Sequence, residues 1–479
     1  MSEVVARGRD WAAALPSIRA VGAAEMRAAL PTARRVVVLD DDPTGTQTVR
    51  GVPVLTRWEA DDIAWAFAQG GPGFFVLTNT RSLSEADAAA RNREVASRCL
   101  DIAADLGVDL VFASRGDSTL RGHFPLETDV LAAVSAEHGQ PIDAVLLAPA
   151  YLDAGRVTVD GIHWVRGDDG LRPVAHGEFA RDATFGYRSS RLADWVEEKS
   201  GGRIPAASVV SVGIDAIRSE SAELRAGALV EALRAAHNCQ VVVIDAIVDD
   251  DLRAATLAVL AAESAGRRVL YRVGPSFVRA RLGQGTQPPL SDEELSAIVG
   301  TSPVHGLVVV GSHVGVTTRQ VERLAADRDL ARVELDVARI VEGDAEAHIA
   351  EVVAHALVHL DHRLVVITTS RTLRTGADAE ASLDISRRVS AALSTTVRRI
   401  VADRRPRFVV AKGGITSSDI ATVALDIHRA WVRGSLLPGI VSLWQATSGT
   451  AEGLAYIVFA GNVGGDSSLA EVVNRLERA

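Results

Sequence analysis

Short apolar runs alternate with helical stretches along most of the chain. In the first half the runs are "RVVVLD" (35–40), "FFVLTN" (74–79), "LVFAS" (110–114), "AVLLAPA" (144–150), "VVVIDA" (241–246) and "RVLYRV" (268–273). Their length and β-branched content read as buried strands. Between them lie amphipathic segments such as 84–106, with Ser84 as N-cap and Gly107 as the stop. Strands alternating with helices predict right-handed crossovers and a mainly parallel sheet. Functional residues then belong beyond the carboxyl ends of the strands.

Residues 153–204 break this rhythm, being rich in Gly, Arg, Asp and aromatics, and read as a hairpin-and-loop excursion beside a site or a lid. The stretch 281–304, "RLGQGTQPPLSDEELSAIVGTSPV", reads as a linker. Alternation then resumes with strands "GLVVVGSH", "RVELDV", "LVVITTS", "FVVAKGG", "IVSLW" and "AYIVFAG". Helices are expected over 317–328, 344–361, 382–404 and 418–430, with a last one from Ser468. The pattern predicts two α/β domains, each with a mainly parallel central sheet flanked by helices, and a ligand site in the inter-domain cleft. The expected boundaries are an N-terminal extension over 1–34, a first domain over 35–285, a linker over 286–304 and a second domain over 305–479.

Composition narrows the partners. At 479 residues with 47% hydrophobic content there is material for two cores. A formal net charge of -10 disfavours nucleic acid or an anionic membrane surface as the main partner. Two cysteines, Cys99 and Cys239, give neither a disulfide framework nor a CxxC metal site. No uninterrupted apolar run approaches a membrane span, and the start carries no export-type apolar segment, so a soluble cytoplasmic protein is expected. Among 51 basic residues only Lys199 and Lys412 are lysine, which marks a lysine as a candidate for work that arginine does poorly, such as a compact charge against phosphate.

Three constellations carry chemistry. "VVVLDDDPTG" places Asp40, Asp41 and Asp42 at a strand end, where mutual repulsion requires a cation, proton or donor between them. "SRGDSTLRGHFPLE" sets Arg115 and Arg121 around Asp117, Ser118 and Thr119, suited to a carboxylate held by paired hydrogen bonds. Three glycine-rich turns follow apolar strands in the second half: one ending near Ser312, one at Lys412, Gly413, Gly414, Ile415 and Thr416, and one at Gly461 to Gly464. Such turns let backbone N–H groups close on phosphate. Neither GxxxxGK[ST] nor a helix-opening GxGxxG is present. His123, His163, His176 and His313 are scattered without ligand spacing. Asp40-x-Asp42-x-Thr44 also matches the first motif of haloacid-dehalogenase-type phosphatases, but the lysine and the acidic pair of that class do not follow in order.

Taken together, "LDDDPTGTQTV", "SRGDSTLRGH", "APAYLDAGR" with "EFARD", "KGGITSSD" and "GNVGG" resemble the four-carbon acid sugar kinase family over residues 35–470. The resemblance implies a sugar-acid-binding first domain, an ATP-binding second domain, and phosphorylation of the terminal hydroxyl of 3-oxo-tetronate, threonate or erythronate. It places ATP contacts on Ser312, Gly413 to Thr416 and Gly461, with Lys412 and Gly464 beside them. Sugar-acid contacts fall on Asp41, Asp42, Thr44, Arg115, Asp117, Ser118 and Arg121. The expected mechanism has Arg115 and Arg121 hold the carboxylate, Asp117 and Ser118 read hydroxyls, and Asp42 act as general base, with Mg²⁺ shared with the ATP phosphates. A homodimer is allowed; a phosphatase and a non-catalytic sugar-acid sensor are the alternatives.

Overall fold

The computed structural model describes residues 8, 11–12, 15–18, 20–32, 34–218, 227–370 and 379–479, the side chains of 379–383 excepted. Parts of the expected 1–34 extension lie outside the described residues; within it the helix Ala23–Ala29 buries Met26. The chain divides into two compact units, Met1–Thr286 and Gln287–Ala479. Among the described residues no helix is long and apolar enough to cross a membrane.

The strands of the first unit are β1 (Arg34–Asp40), β2 (Val52–Leu55), β3 (Gly73–Leu77), β4 (Asp109–Arg115), β5 (Ala144–Ala148), β6 (Arg156–Val159), β7 (Ile162–Gly167), β8 (Gly170–Pro173), β9 (Val210–Val212), β10 (Gln240–Ile244) and β11 (Val269–Val273). Eight of them form a sheet in the order β2-β3-β1-β4-β11-β5-β10-β9. All its pairings are parallel. Buried on both faces, these strands read as unbroken apolar runs rather than as alternation, which is why they were legible. After β1 the chain places β2 and β3 on one side of it and then β4 on the other, so the order reverses at β1. In open parallel sheets ligands collect at that point.

Helix Glu85–Leu106 has the ends its sequence predicts. Ser84 Oγ accepts from Asp87 N at 3.2 Å, and Gly107 takes the left-handed φ of 65° that closes the helix. Its buried stripe, including Val95, Cys99 and Leu100, packs on the core beneath the sheet. The excursion after β5 is ordered: β6, β7 and β8 form a three-stranded antiparallel sheet over a small core of Val157, Val159, Ile162, Trp164 and Leu171, and a helix follows over Leu192–Lys199.

The second unit begins with helix Asp292–Val299, whose Ser291 and Glu294 form a reciprocal capping box inside the stretch expected to be a linker. Its strands are β12 (Leu307–Val310), β13 (Leu330–Leu335), β14 (Leu364–Thr369), β15 (Phe408–Lys412), β16 (Arg429–Leu437), β17 (Val441–Ala446) and β18 (Ala455–Phe459), in the order β13-β14-β12-β15-β18-β17-β16. Five strands are mutually parallel, and β17 and β16 are added antiparallel. The helix expected over 418–430 is corrected. A short helix covers Gly414–Asp419, one π turn covers Ile420–Ala424, and the chain then enters β16. The run "RAWVRGSLL" buries Ala430, Val432 and Gly434 in alternation with half-buried neighbours, a period of two that helical spacing cannot satisfy.

Candidate functional site

Strands β3, β1 and β4 are neighbours and parallel. Their carboxyl ends therefore deliver Thr78–Ser82, Asp40–Thr44 and Arg115–Gly122 to one place. There Asp42 caps a short 3-10 helix, Pro43–Thr48, by accepting from Thr44 N at 2.9 Å and Thr44 Oγ1 at 2.5 Å. Gly45 is required for closeness: a Cβ there would lie 2.1 Å from Asp40 Oδ2 and 2.3 Å from Arg115 Nε.

Three guanidinium groups thread the aspartates. Arg115, 3% exposed, pairs with Asp40, lies 3.6 Å from Asp41 and donates to the Asp42 carbonyl. It is thus consumed beneath the surface. Arg121 reaches outward, with Nε 2.6 Å from Asp117 Oδ2, its guanidinium 4.5 Å over the Phe179 ring and 3.6 Å from Asp182. Arg81, which motif reading did not single out, joins all the elements. Its Nη2 is 2.7 Å from Asp42 and 3.5 Å from Asp41, and its Nη1 is 3.5 Å from Asp117. The side chains of Asp42, Asp117, Arg81 and Arg121 keep 19%, 13%, 16% and 21% of their surface, so these four form the accessible mouth. Asp40 and Asp41 lie behind it at 1% and 2% exposure, and among the described residues neither carboxylate oxygen of Asp41 has a hydrogen-bond partner. Ser118 and Thr119 are buried behind the loop. Thr119 donates its hydroxyl and, at 3.2 Å, its N–H to Asp117.

Environment pushes these carboxyls apart. Burial, then the charges of Asp41 and Asp42, raise Asp40 to about 7 against the pull of Arg115. Burial likewise raises Asp41, opposed by Arg81 and Arg115. For Asp42 and Asp117 burial acts upward too, but Arg81 with Arg115 or Arg121, and hydrogen bonds from Thr44 or Thr119, hold both below the usual range. The outer pair is held low and ionised, burial raises both inner carboxyls, and Asp40 retains its proton up to about 7, a division typical of sites that handle protons.

A stability test follows from the sign. Asp40 binds its proton more tightly folded than unfolded between 3.8 and about 7, so its contribution to stability is present on the acid side and is lost as pH rises through that window. Wild type is expected to lose Tm between about pH 4 and 7 more steeply than Asp40→Asn. Equal slopes in a scanning calorimeter would mean that Asp40 is ionised throughout.

Beneath the mouth, Glu127 accepts from Thr80 at 2.5 Å, Ser114 at 3.2 Å and Arg272 at 2.5 Å, tying the loops after β3 and β4 to β11. A Cβ on Gly116 would sit 2.5 Å from Arg272. Arg81 and Arg272 had one sequence signal, a position at or just after the carboxyl end of a predicted strand, and no motif; Glu127 closes the "SRGDSTLRGHFPLE" segment without standing out in it.

In the second unit β12, β15 and β18 are adjacent and parallel, so the three glycine turns emerge side by side. They touch. A Cβ on Gly311 would lie 2.3 Å from Thr416 Oγ1, and one on Gly461 would lie 2.6 Å from Ser312 Oγ. Gly413 has φ 128° and Gly464 φ 81°, conformations that L side chains resist. Thr317 Oγ1 donates to Gly461 O at 2.9 Å, and Gln320 Nε2 to Val463 O and Gly465 O at 3.1 and 2.9 Å, fixing the third turn to helix Gly315–Asp327. Ile415 is exposed. Lys412 is fully buried, with Nζ 2.7 Å from Ala460 O and 3.6 Å over the Phe459 ring, and burial pushes its ammonium down to about 6. It braces the turn at Gly461 from behind. Among the described residues no group of three or more His, Cys, Asp and Glu is placed to hold a metal ion. His123 and His163 instead bond backbone carbonyls.

A family model for a sugar-binding N-terminal domain matches residues 36–281, and one for a nucleotide-binding C-terminal domain matches residues 307–469. A D-threonate kinase of Salmonella typhimurium is 28% identical over 375 residues, covering 75% of this chain and 79% of that protein. Among solved structures, a Haemophilus influenzae protein of the DUF1537 family aligns with TM-score 0.59 at 17% identity, over 91% of this chain and 99% of that one. A Salmonella typhimurium protein whose name proposes a tRNA synthase aligns with TM-score 0.66 at 18% identity, over 93% and 99%. These two likenesses concern the fold.

Proposed function

Since the chain belongs to the four-carbon acid sugar kinase family, with its sugar-binding and nucleotide-binding domains, we propose that it transfers the terminal phosphoryl group of ATP to the terminal hydroxyl of a four-carbon sugar acid. The observation that carries this reading is the convergence of the glycine turns after β12, β15 and β18 on Ser312 and Thr416, in a chain whose other unit presents an open mouth of two arginines and two ionised aspartates.

In this reading the acid's carboxylate lies against Arg121 and Arg81, with Arg115 supplying fixed positive charge beneath. Asp117 orients both accessible arginines and receives substrate hydroxyls. Asp42, partly exposed and ionised, stands as acceptor for the hydroxyl proton, which phosphoryl transfer releases late. A nucleotide seated on Gly413 to Thr416 and Gly461 finds backbone close enough to wrap its phosphates, with Ser312 as a hydroxyl partner. The magnesium ion of this reading is carried mainly by phosphate oxygens. When bound, such an ion neutralises phosphate charge. Catalysis by this chain then rests on alignment and electrostatics, for which effective concentrations are worth roughly 7–11 kcal/mol.

The phosphatase alternative loses ground on one observation: Asp40, the residue that would attack phosphorus, is 1% exposed and paired with Arg115. The deciding assay is ADP formation from ATP in the presence of D-threonate, L-threonate, the erythronates or a 3-oxo-tetronate. One acid should stimulate turnover far above the ATP-only rate; no stimulation by any, with the protein folded, rejects the proposal.

A further inference from the structure

Beyond Phe179 and Asp182 beside Arg121, the excursion after β5 has been given no part in the chemistry above, yet it grips the loop after β4 residue by residue. His163, on β7 and fully buried, has Nε2 2.8 Å from the Ser118 carbonyl and Nδ1 3.0 Å from Thr158 Oγ1. A carbonyl only accepts, so Nε2 carries the proton. Tyr187, also buried, donates its hydroxyl to the Thr119 carbonyl at 2.6 Å. Farther along, Phe185 stands edge-on to His123 at 5.0 Å, and Trp195 stacks on Phe124 at 4.6 Å. The grip is itself anchored to the main sheet. Asp245, just past β10, accepts from Asp160 N at 2.7 Å and Gly161 N at 2.9 Å, which fixes the turn between β6 and β7.

The loop needs this support. Leu120 has φ 67°, a left-handed conformation unfavourable for a branched side chain. Asp117 directly precedes the gripped carbonyls and Arg121 follows them across Leu120, and the 2.6 Å contact between the two shapes the mouth. We infer that His163 and Tyr187 are positioning residues for the acid-binding site, holding the Ser118 and Thr119 carbonyls so that Asp117 and Arg121 present one fixed geometry. This rests on the reading that the loop receives the sugar acid. Both side chains are buried and bond the loop's backbone carbonyls, so they act through the loop.

The test compares His163→Ala, His163→Gln and Tyr187→Phe with wild type in two independent measurements. Hydrogen exchange of peptides spanning 114–125, read by mass spectrometry, needs no substrate. His163→Ala should speed exchange there about tenfold or more by removing a buried bond, and His163→Gln, whose amide can still donate, should restore much of the protection. In steady-state kinetics the alanine and phenylalanine variants should raise the sugar-acid KM and lower kcat about tenfold or more, since small misplacement of a positioned group is costly. ATP affinity should stay within about twofold, binding elsewhere in the chain.

Unchanged exchange at 114–125 overturns the inference whatever the substrate proves to be. So does faster exchange with unaltered kcat and KM, because the side chains would then be structural filler. If exchange rises as expected while wild type turns over no four-carbon acid, the positioning of the loop stands and the kinase reading is what fails.

Discussion

Arg81→Ala is expected to lower kcat/KM for the sugar acid by about 10²–10³-fold while equilibrium ATP binding changes by less than about twofold. The reason is charge, not shape. One guanidinium, 16% exposed, lies 2.7 Å from Asp42, 3.5 Å from Asp41 and 3.5 Å from Asp117. Removing one partner from a largely buried charge set leaves the other uncompensated, at a cost of roughly 3–5 kcal/mol when no water can enter. The mouth admits some water, and the fold-change above reflects that discount. Arg81→Lys should recover only part of the loss, because a point charge cannot span three carboxylates as a planar fork does. The alanine variant should also move the acid limb of the kcat/KM profile to higher pH, since Arg81 is among the groups holding Asp42 and Asp117 low. A merely structural Arg81 would lower Tm and leave that limb in place. Activity within about threefold of wild type, measured well below the unfolding temperature, rejects its assignment to the mouth.

That Arg81 escaped motif reading while Asp42 did not shows where sequence carries site information. A run of three aspartates after an apolar strand is improbable as scaffold, and its neighbour Thr44 announces the capping turn that the structure contains. Arg81 stands in "NTRS", an ordinary polar segment; only the pairing of β3 beside β1 brings it to the aspartates, and pairing order is not written locally. The same distinction separates Arg115 from Arg121. Both flank Asp117 in sequence, but one ends a buried strand and is enclosed, whereas the other leaves the strand and reaches the surface. Parallel strands and long helices were legible because burial on both faces and cap residues mark them directly. The helix expected over 418–430 stops early because the glycine turn at Gly413 sets up a helix that the chain abandons after one π turn. What stops it is the burial alternation of residues 429–437, which becomes decisive only when β17 is there to pair with.

Gly413→Ala is the counterpart of Arg81→Ala in the second unit, and its expected effect is the reverse: a fall in ATP affinity of about 10–100-fold with sugar-acid affinity, measured without nucleotide, unchanged. Gly413 has φ 128°, where any side chain is strained by roughly 1–3 kcal/mol. A Cβ would also lie 3.0 Å from Thr416 Oγ1 and 3.3 Å from Ser312 Cβ, so the methyl group enters the space where two turns meet. The chain can relieve this only by moving the Gly413–Thr416 turn relative to Ser312, which are the groups proposed to close on the phosphates. Bulk solubility and the fold of the first unit are not at issue, because the substitution lies at the end of β15, inside the second unit. Calorimetric titration with a non-hydrolysable ATP analogue reads the result directly. If the alanine variant binds the analogue as wild type does, the turns after β12 and β15 do not form the nucleotide seat, and the arrangement of glycines there serves strand packing alone.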